Sequence, residues 1–272
     1  MASAFSQRDN ATLMANVSHS VTNHIGTVVF DQQPKFNAMT LAMWQGLASS
    51  MAALAANAAV RVIVLEGAGD KAFISGADIS QFDTLRQGDA QALYDEAVEA
   101  GYASVVNSPK PTIAKIQGIC FGGGLGLALY CDIRIGADDS RIRMPAARLG
   151  VGYRFDGIQR FVEIVGRANA ADLFFSARIV QAEEAHRMGF FKEIVAKATL
   201  GAVVQAYASQ IAENAPLPIA AAKRALIEMR KADHTADRAT VQTMVDACFA
   251  SADYHEGRSA FMAKRTPNFQ GN

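Results

Sequence analysis

The sequence predicts an α/β fold whose last third turns helical, and three observations carry that reading. Short β-branched runs alternate with Ala-, Leu- and Met-rich segments at helical spacing, which is the signature of strands interleaved with helices. Strand signals fade after residue 168, where segment after segment reads as helix. Half of the 272 residues are hydrophobic and 19% are charged, enough apolar surface for a sizeable core and too much for disorder.

The elements follow in order. Residues 19–30 (HSVTNHIGTVVF) are β-branched and apolar and end at a DQQP turn, so they form a strand or hairpin. Residues 40–56 are a helix with Thr40 able to cap it. Residues 60–65 (VRVIVL) form a buried strand, followed by a loop over 67–76. A helix over 91–106, a strand over 111–116, a glycine cluster, an apolar helix over 125–130 and a strand over 132–135 come next. Helices are expected over 168–175, 182–188, 219–231, 241–250 and 256–264, with Pro216 and Pro218 leading into the last group. Two regions result, an α/β core over 1–205 and a helical region over 206–272. The first residues read as a loose lead-in to the first strand.

Charge and cysteine content narrow the function. Lys+Arg 26 balances Asp+Glu 26, with no block of like charge, which speaks against nucleic acid as a partner. No apolar run reaches the roughly 18 residues of a spanning helix, and the N-terminus lacks the order of a secretory signal. Cys120, Cys131 and Cys248 fit no zinc or CxxC spacing, and their sparseness suits a reducing compartment, so the expected location is cytoplasmic. No metal-ligand spacing and no Ser/His/Asp or Cys/His pattern is present.

Two glycine-bearing loops are candidates for chemistry. Residues 121–126 (FGGGLG) lie between a strand and a helix, where backbone N–H groups favour negative charge. The spacing matches neither the dinucleotide fingerprint nor the Walker loop. The alternative reading is close packing of helix on sheet. Residues 71–79 (KAFISGADI) follow a buried strand and can present a free N–H at Ala77. Two amides converging on one point would form an oxyanion hole.

With these residues in view, the chain resembles the crotonase (enoyl-CoA hydratase/isomerase) superfamily. The resemblance rests on residues 25–39 (IGTVVFDQQPKFNAM), 62–80, 111–137 and 175–194 and on the ending at 259–271 (SAFMAKRTPNFQG), in the family's order along nearly the whole chain. It implies a crotonase-like (ββα) spiral core, an acyl-CoA thioester as partner, no cofactor beyond the coenzyme A of the substrate, and a homotrimer or dimer of trimers built through the helical region. It implies that the N–H groups of Ala77 and Gly123 polarise the thioester carbonyl, and that Gly122 belongs to the same loop. It places Lys35, Ala77, Asp78, Ile79 and Ser80 along the coenzyme A groove. Phe261 and Lys264 match positions that close over the nucleotide, often from a neighbouring subunit. The alternative for Phe261 is a core aromatic.

The departures from the family are chemical. Hydratases of the family hold two glutamates that handle water and its protons. Their positions here are Gly126 and Ala146. Replacements are sought in residues 150–160 (GVGYRFDGIQR), where some relatives carry a catalytic aspartate. Asp156 is then a catalytic group or the cap of a helix starting near residue 157. Tyr153 donates to substrate or packs, and Arg154 pairs with a carboxylated acyl group or with Asp156. The resemblance would name the chain an enoyl-CoA hydratase. The missing carboxylates leave isomerisation, decarboxylation or hydration of an unusual acyl group, with a non-catalytic acyl-CoA-binding or assembly subunit as the alternative.

Overall fold

The computed structural model describes residues 15–81, 89–231 and 235–272. The N-terminal lead-in falls largely outside these residues. β1 (Asn16–Thr22) and β2 (Ile25–Asp31) form an antiparallel hairpin, closed by Asn23 and His24 at φ 50 and 65. That is the left-handed pair a tight two-residue turn demands. α1 (Leu41–Ala56) starts where Thr40 accepts a hydrogen bond from Met43 N at 3.2 Å. β3 (Val62–Gly67) and β4 (Ala72–Ile74) precede α2 (Asp89–Val106). β5 (Thr112–Ile116), β6 (Ile119–Phe121), α3 (Gly123–Tyr130), β7 (Ile133–Ala137) and β8 (Arg141–Arg143) complete the centre. α4 (Phe155–Val165), α5 (Arg167–Ser176), β9 (Val180–Gln181), α6 (Ala182–Arg187) and β10 (Glu193–Val195) follow. The chain ends in α7 (Leu200–Ala212), α8 (Pro216–Glu228), α9 (Arg238–Ala250) and α10 (Ala252–Ala263).

Two sheets result. The larger has the order β1-β2-β3-β5-β7-β10, parallel from β2 onward. The smaller has the order β4-β6-β8-β9, and its first three strands are parallel. The main core lies between the sheets and helices α1 to α5, and includes the fully buried Trp44, Phe30, Phe73 and Phe161.

A boundary at 205/206 is corrected by this arrangement, because residue 205 falls inside α7. Leu200, Val204, Ala208 and Ala212, spaced by four, lay one stripe of α7 on Ile25, Val62, Ile113 and Ile135 of the larger sheet. The helical region therefore leaves the sheet only after α7. Even α8 stays tied to the core, through Lys223 Nζ, which is buried and bonds Asp132 Oδ2 at 2.8 Å and Lys110 O at 2.7 Å. Among the described residues, no helix is long and apolar enough to cross a membrane.

Candidate active site

The small sheet builds the site. Its three parallel strands end side by side, and each hands over to a loop: β4 to Ser75–Ala77, β6 to Gly122 and Gly123, β8 to Met144–Ala146. All three loops line one cavity of about 1410 Å³ at the carboxyl ends of those strands. Parallel sheets bind ligands at that edge because helix N-termini and free backbone amides collect there.

Ala77 is held by a parallel bridge to Met39. Met39 N donates to Gly76 O at 2.7 Å, and Asp78 N donates to Met39 O at 2.9 Å. The bridge thus uses the neighbours of Ala77, and its own N–H points away from Met39. Asn37, buried and at φ 57, fixes this loop. Its Nδ2 donates to Ala68 O and Ala72 O, each at 3.0 Å, and its Oδ1 accepts from Gln32 N at 3.0 Å. Gly76 sits at φ +119, a conformation glycine supplies without strain.

Gly123 is the first residue of α3, so its N–H has no intrahelical partner. Gly122, at φ +50, turns the chain there, and its N–H donates to Arg143 O at 2.9 Å. A Cβ built on Gly122 would stand 3.8 Å from Gly76 Cα, so the two loops touch. Gly124 serves the packing reading of the same cluster: a Cβ there would lie 2.5 Å from Ile74 O. The glycine cluster therefore divides its work, with Gly122 and Gly123 facing the cavity and Gly124 seating the helix on β4.

The coenzyme A candidates separate into two groups. Ala77 and Ile79 line the cavity, with Ile79 62% exposed. Lys35, Asp78 and Ser80 form a bonded cluster beside it. Lys35 Nζ reaches Asp78 Oδ2 and Ser80 Oγ, both at 2.8 Å. Burial alone would raise the Asp78 carboxyl. Hydrogen bonds from Lys35, Ser80 and Gln32 outweigh it and hold the group below its usual range. Asp78 is a saturated anion that ties the loop down. Phe261 and Lys264 are exposed and lie outside their own chain's cavity, so Phe261 is not a core aromatic.

The loop over 150–160 also enters the cavity. α4 starts at Phe155 with Arg154 as its N-cap residue, and Asp156 stands within the first turn. The cap reading of Asp156 is thereby corrected, since the helix begins before it. Asp156, Tyr153 and Arg154 all line the cavity. Arg154 pairs with Glu99 of α2, not with Asp156, and its side chain is 76% exposed.

The remaining wall is aromatic, and sequence reasoning missed it. Trp44 from α1, Tyr94 and Tyr102 from α2, and Tyr130 at the end of α3 join Tyr153. Tyr102 meets Trp44 edge-on at 5.1 Å and stacks on Tyr130 at 4.9 Å. Burial raises the phenols of Tyr102, Tyr130 and Tyr153, so all three stay protonated through the neutral range. Beside burial, the Arg230 charge favours ionisation of Tyr130 and the Asp156 charge opposes it. Trp44 Nε1 is buried without a hydrogen-bond partner, the single such side-chain atom among the described residues. Cys120 and Cys131 are free and buried, and burial pushes the Cys131 thiol up to about 12, so no thiolate is available there.

Comparison with known proteins gives the family. A family model described as enoyl-CoA hydratase/isomerase matches residues 20–272. The chain belongs to the enoyl-CoA hydratase/isomerase family. It is 30% identical to the crotonyl-CoA hydratase of Syntrophomonas wolfei over 243 residues, 89% of this chain and 93% of the relative. It is also 30% identical to the 2,3-dehydroadipyl-CoA hydratase of Escherichia coli over 236 residues, 86% of this chain and 91% of the relative. The crystal structure of an enoyl-CoA hydratase/carnithine racemase from Magnetospirillum magneticum superposes with TM-score 0.88 at 32% identity, covering 94% of this chain and 96% of that one. The fold is crotonase-like, and the protein is an acyl-CoA enzyme of the hydratase/isomerase type.

Proposed function

We propose that this family member polarises an acyl-CoA thioester between the amides of Ala77 and Gly123 and shifts a double bond within the acyl chain. One observation carries the reading. Both hydratase carboxylate positions are Gly126 and Ala146, while Asp156 lines the same cavity. In this scheme Asp156 takes a proton from an acyl carbon remote from the thioester. The electron pair moves through the conjugated chain onto the thioester oxygen, where two N–H donors receive it. Return of a proton nearer the thioester leaves the double bond displaced and the composition unchanged.

A panel of saturated, 2-enoyl, 3-enoyl and dienoyl-CoA thioesters, incubated in heavy water and read by mass and chromatography, tests this. Deuterium uptake with a new retention time is the expected result. Gain of a water or loss of carbon dioxide replaces the reading by hydration or decarboxylation. Asp156→Asn should lower turnover by about 10²-fold or more, the scale of a lost general base. Affinity for a saturated acyl-CoA should stay nearly constant. Since Asp156 caps nothing, an activity loss reports chemistry. Saturable binding without any turnover would favour the second reading, a non-catalytic acyl-CoA-binding or assembly subunit, which the two absent glutamates also suit.

The same proposal includes a homotrimer or dimer of trimers, the coenzyme A moiety of the substrate as the sole cofactor-like group, and a cytoplasmic location. Leu226, Met229, Phe249, Phe261 and Met262 are each at least 60% exposed on the C-terminal helices, apolar surface of the kind self-association covers. Phe261 and Lys264, off the cavity of their own chain, would then close over a neighbour's coenzyme A. Sedimentation at micromolar concentration should give a trimer or hexamer, and a monomer removes this part of the proposal.

A further inference from the structure

The helix face of α3 that carries Gly123 and, one turn on, Gly126 is covered by phenol oxygens. A Cβ built on Gly126 would stand 2.6 Å from Tyr102 Oη and 2.9 Å from Tyr153 Oη. The space a side chain at 126 would enter is therefore already taken by two hydroxyls. Both oxygens crowd that one point. Tyr102 Oη also donates to Gly123 O at 3.1 Å, which ties the pair to the loop bearing the candidate oxyanion donor. Both rings line the cavity and both are clamped: Tyr102 by Trp44 and Tyr130, Tyr153 edge-on by Phe161 and Phe174 at 6.1 and 5.1 Å.

We propose that Tyr153 is the proton donor to the α-carbon of the bound acyl group and that Tyr102 positions it. The assignment rests on the enolate reading of the site given above. In the step, the O–H bond of Tyr153 breaks and a C–H bond forms at the α-carbon, made from the enolate π pair. The thioester C=O re-forms as charge leaves the amides of Ala77 and Gly123. The phenolate then takes a proton from water. A buried phenol suits delivery and not abstraction, because its ionised form is scarce while an enolate carbon is far more basic. The division of labour follows: a cavity carboxylate, Asp156, removes the proton, and a phenol beside the glycine cluster returns one.

Binding of two unreactive probes reads the hydroxyl directly. Butyryl-CoA offers only a thioester carbonyl. Acetoacetyl-CoA adds a 3-oxo oxygen two bonds from the α-carbon, within reach of a donor aimed at that carbon, and its enolate absorbs in the ultraviolet. The wild type should prefer acetoacetyl-CoA and strengthen its enolate band. Tyr153→Phe keeps the ring and its packing and removes the oxygen. It should lose about tenfold of that preference, as expected for one hydrogen bond to a charged acceptor, with butyryl-CoA affinity unchanged. Tyr102→Phe should lose part of it. Equal weakening of both probes in Tyr153→Phe would mean a packing role and overturn the assignment, as would an intact preference or none in the wild type. Loss of preference together with a thioester panel that shows no isomerisation removes the reaction reading and leaves the donor assignment standing.

Discussion

Gly123→Pro should reduce kcat/KM for any accepted thioester by about 10²–10³-fold, the scale measured when one oxyanion-hole donor is removed. The structure makes this substitution cleaner than a sequence reading implies. Gly123 is the first residue of α3, the one helical position where proline is favoured, because no intrahelical bond is lost there. A Cβ at Gly123 meets Trp44 Cζ2 at 3.4 Å, an ordinary contact. The variant should therefore fold and melt near the wild type while losing the proposed N–H donor. A thermal melt, circular dichroism and a titration with saturated acyl-CoA accompany the rate measurement. Full activity in a folded Gly123→Pro removes Gly123 from the site. Gly124 supplies the contrast within the same cluster. Gly124→Ala would press a methyl to 2.5 Å from Ile74 O and should damage stability first.

What could be read from the sequence divides along physical lines. The proposed roles of Ala77 and Gly123 use backbone N–H groups, and each lies in a contiguous motif whose turn chemistry is local. The spacing could therefore raise the hole as a possibility, though not the adjacency of β4 and β6 that brings the loops together. Trp44, Tyr102 and Tyr130 carry no such signal. They come from three helices separated by tens of residues, and single aromatics on helices read as core until packing aims them at a cavity. The small sheet was missed for a related reason: β4, β6, β8 and β9 are two or three residues each, too short for an alternating pattern. α7 is different, because its four-residue spacing of Leu200, Val204, Ala208 and Ala212 was present to be read. Asp156 was misplaced because Gly157 looks like a helix start, and Arg154 gives no side-chain cap to mark the true one.

Hydration of crotonyl-CoA should be weak, below the ~10⁴ M⁻¹s⁻¹ at which ordinary enzyme efficiencies begin. The reason is the absence of both carboxylates at Gly126 and Ala146, groups each worth ~10²–10⁴-fold in general acid–base catalysis. The sequence suggests that glycine leaves open room at 126, so that Gly126→Glu with Ala146→Glu would restore the reaction. The structure corrects that expectation. The Tyr102 and Tyr153 oxygens stand 2.6 and 2.9 Å from the Cβ such a residue would add, closer than van der Waals contact permits. The double variant should therefore stay poor, and its glutamate at 126 should displace the phenols. Adding Tyr102→Phe and Tyr153→Phe deletes both oxygens and keeps the rings against Trp44, Phe161 and Phe174. The quadruple variant should hydrate crotonyl-CoA at least about tenfold faster than the double, since an acid–base pair acts as a unit once its members fit. Equal rates in the two variants would mean that the phenols do not control position 126. Wild-type hydration at a full hydratase rate would falsify the isomerisation reading, because Asp156 and the tyrosine pair would then be serving water and not a remote acyl carbon.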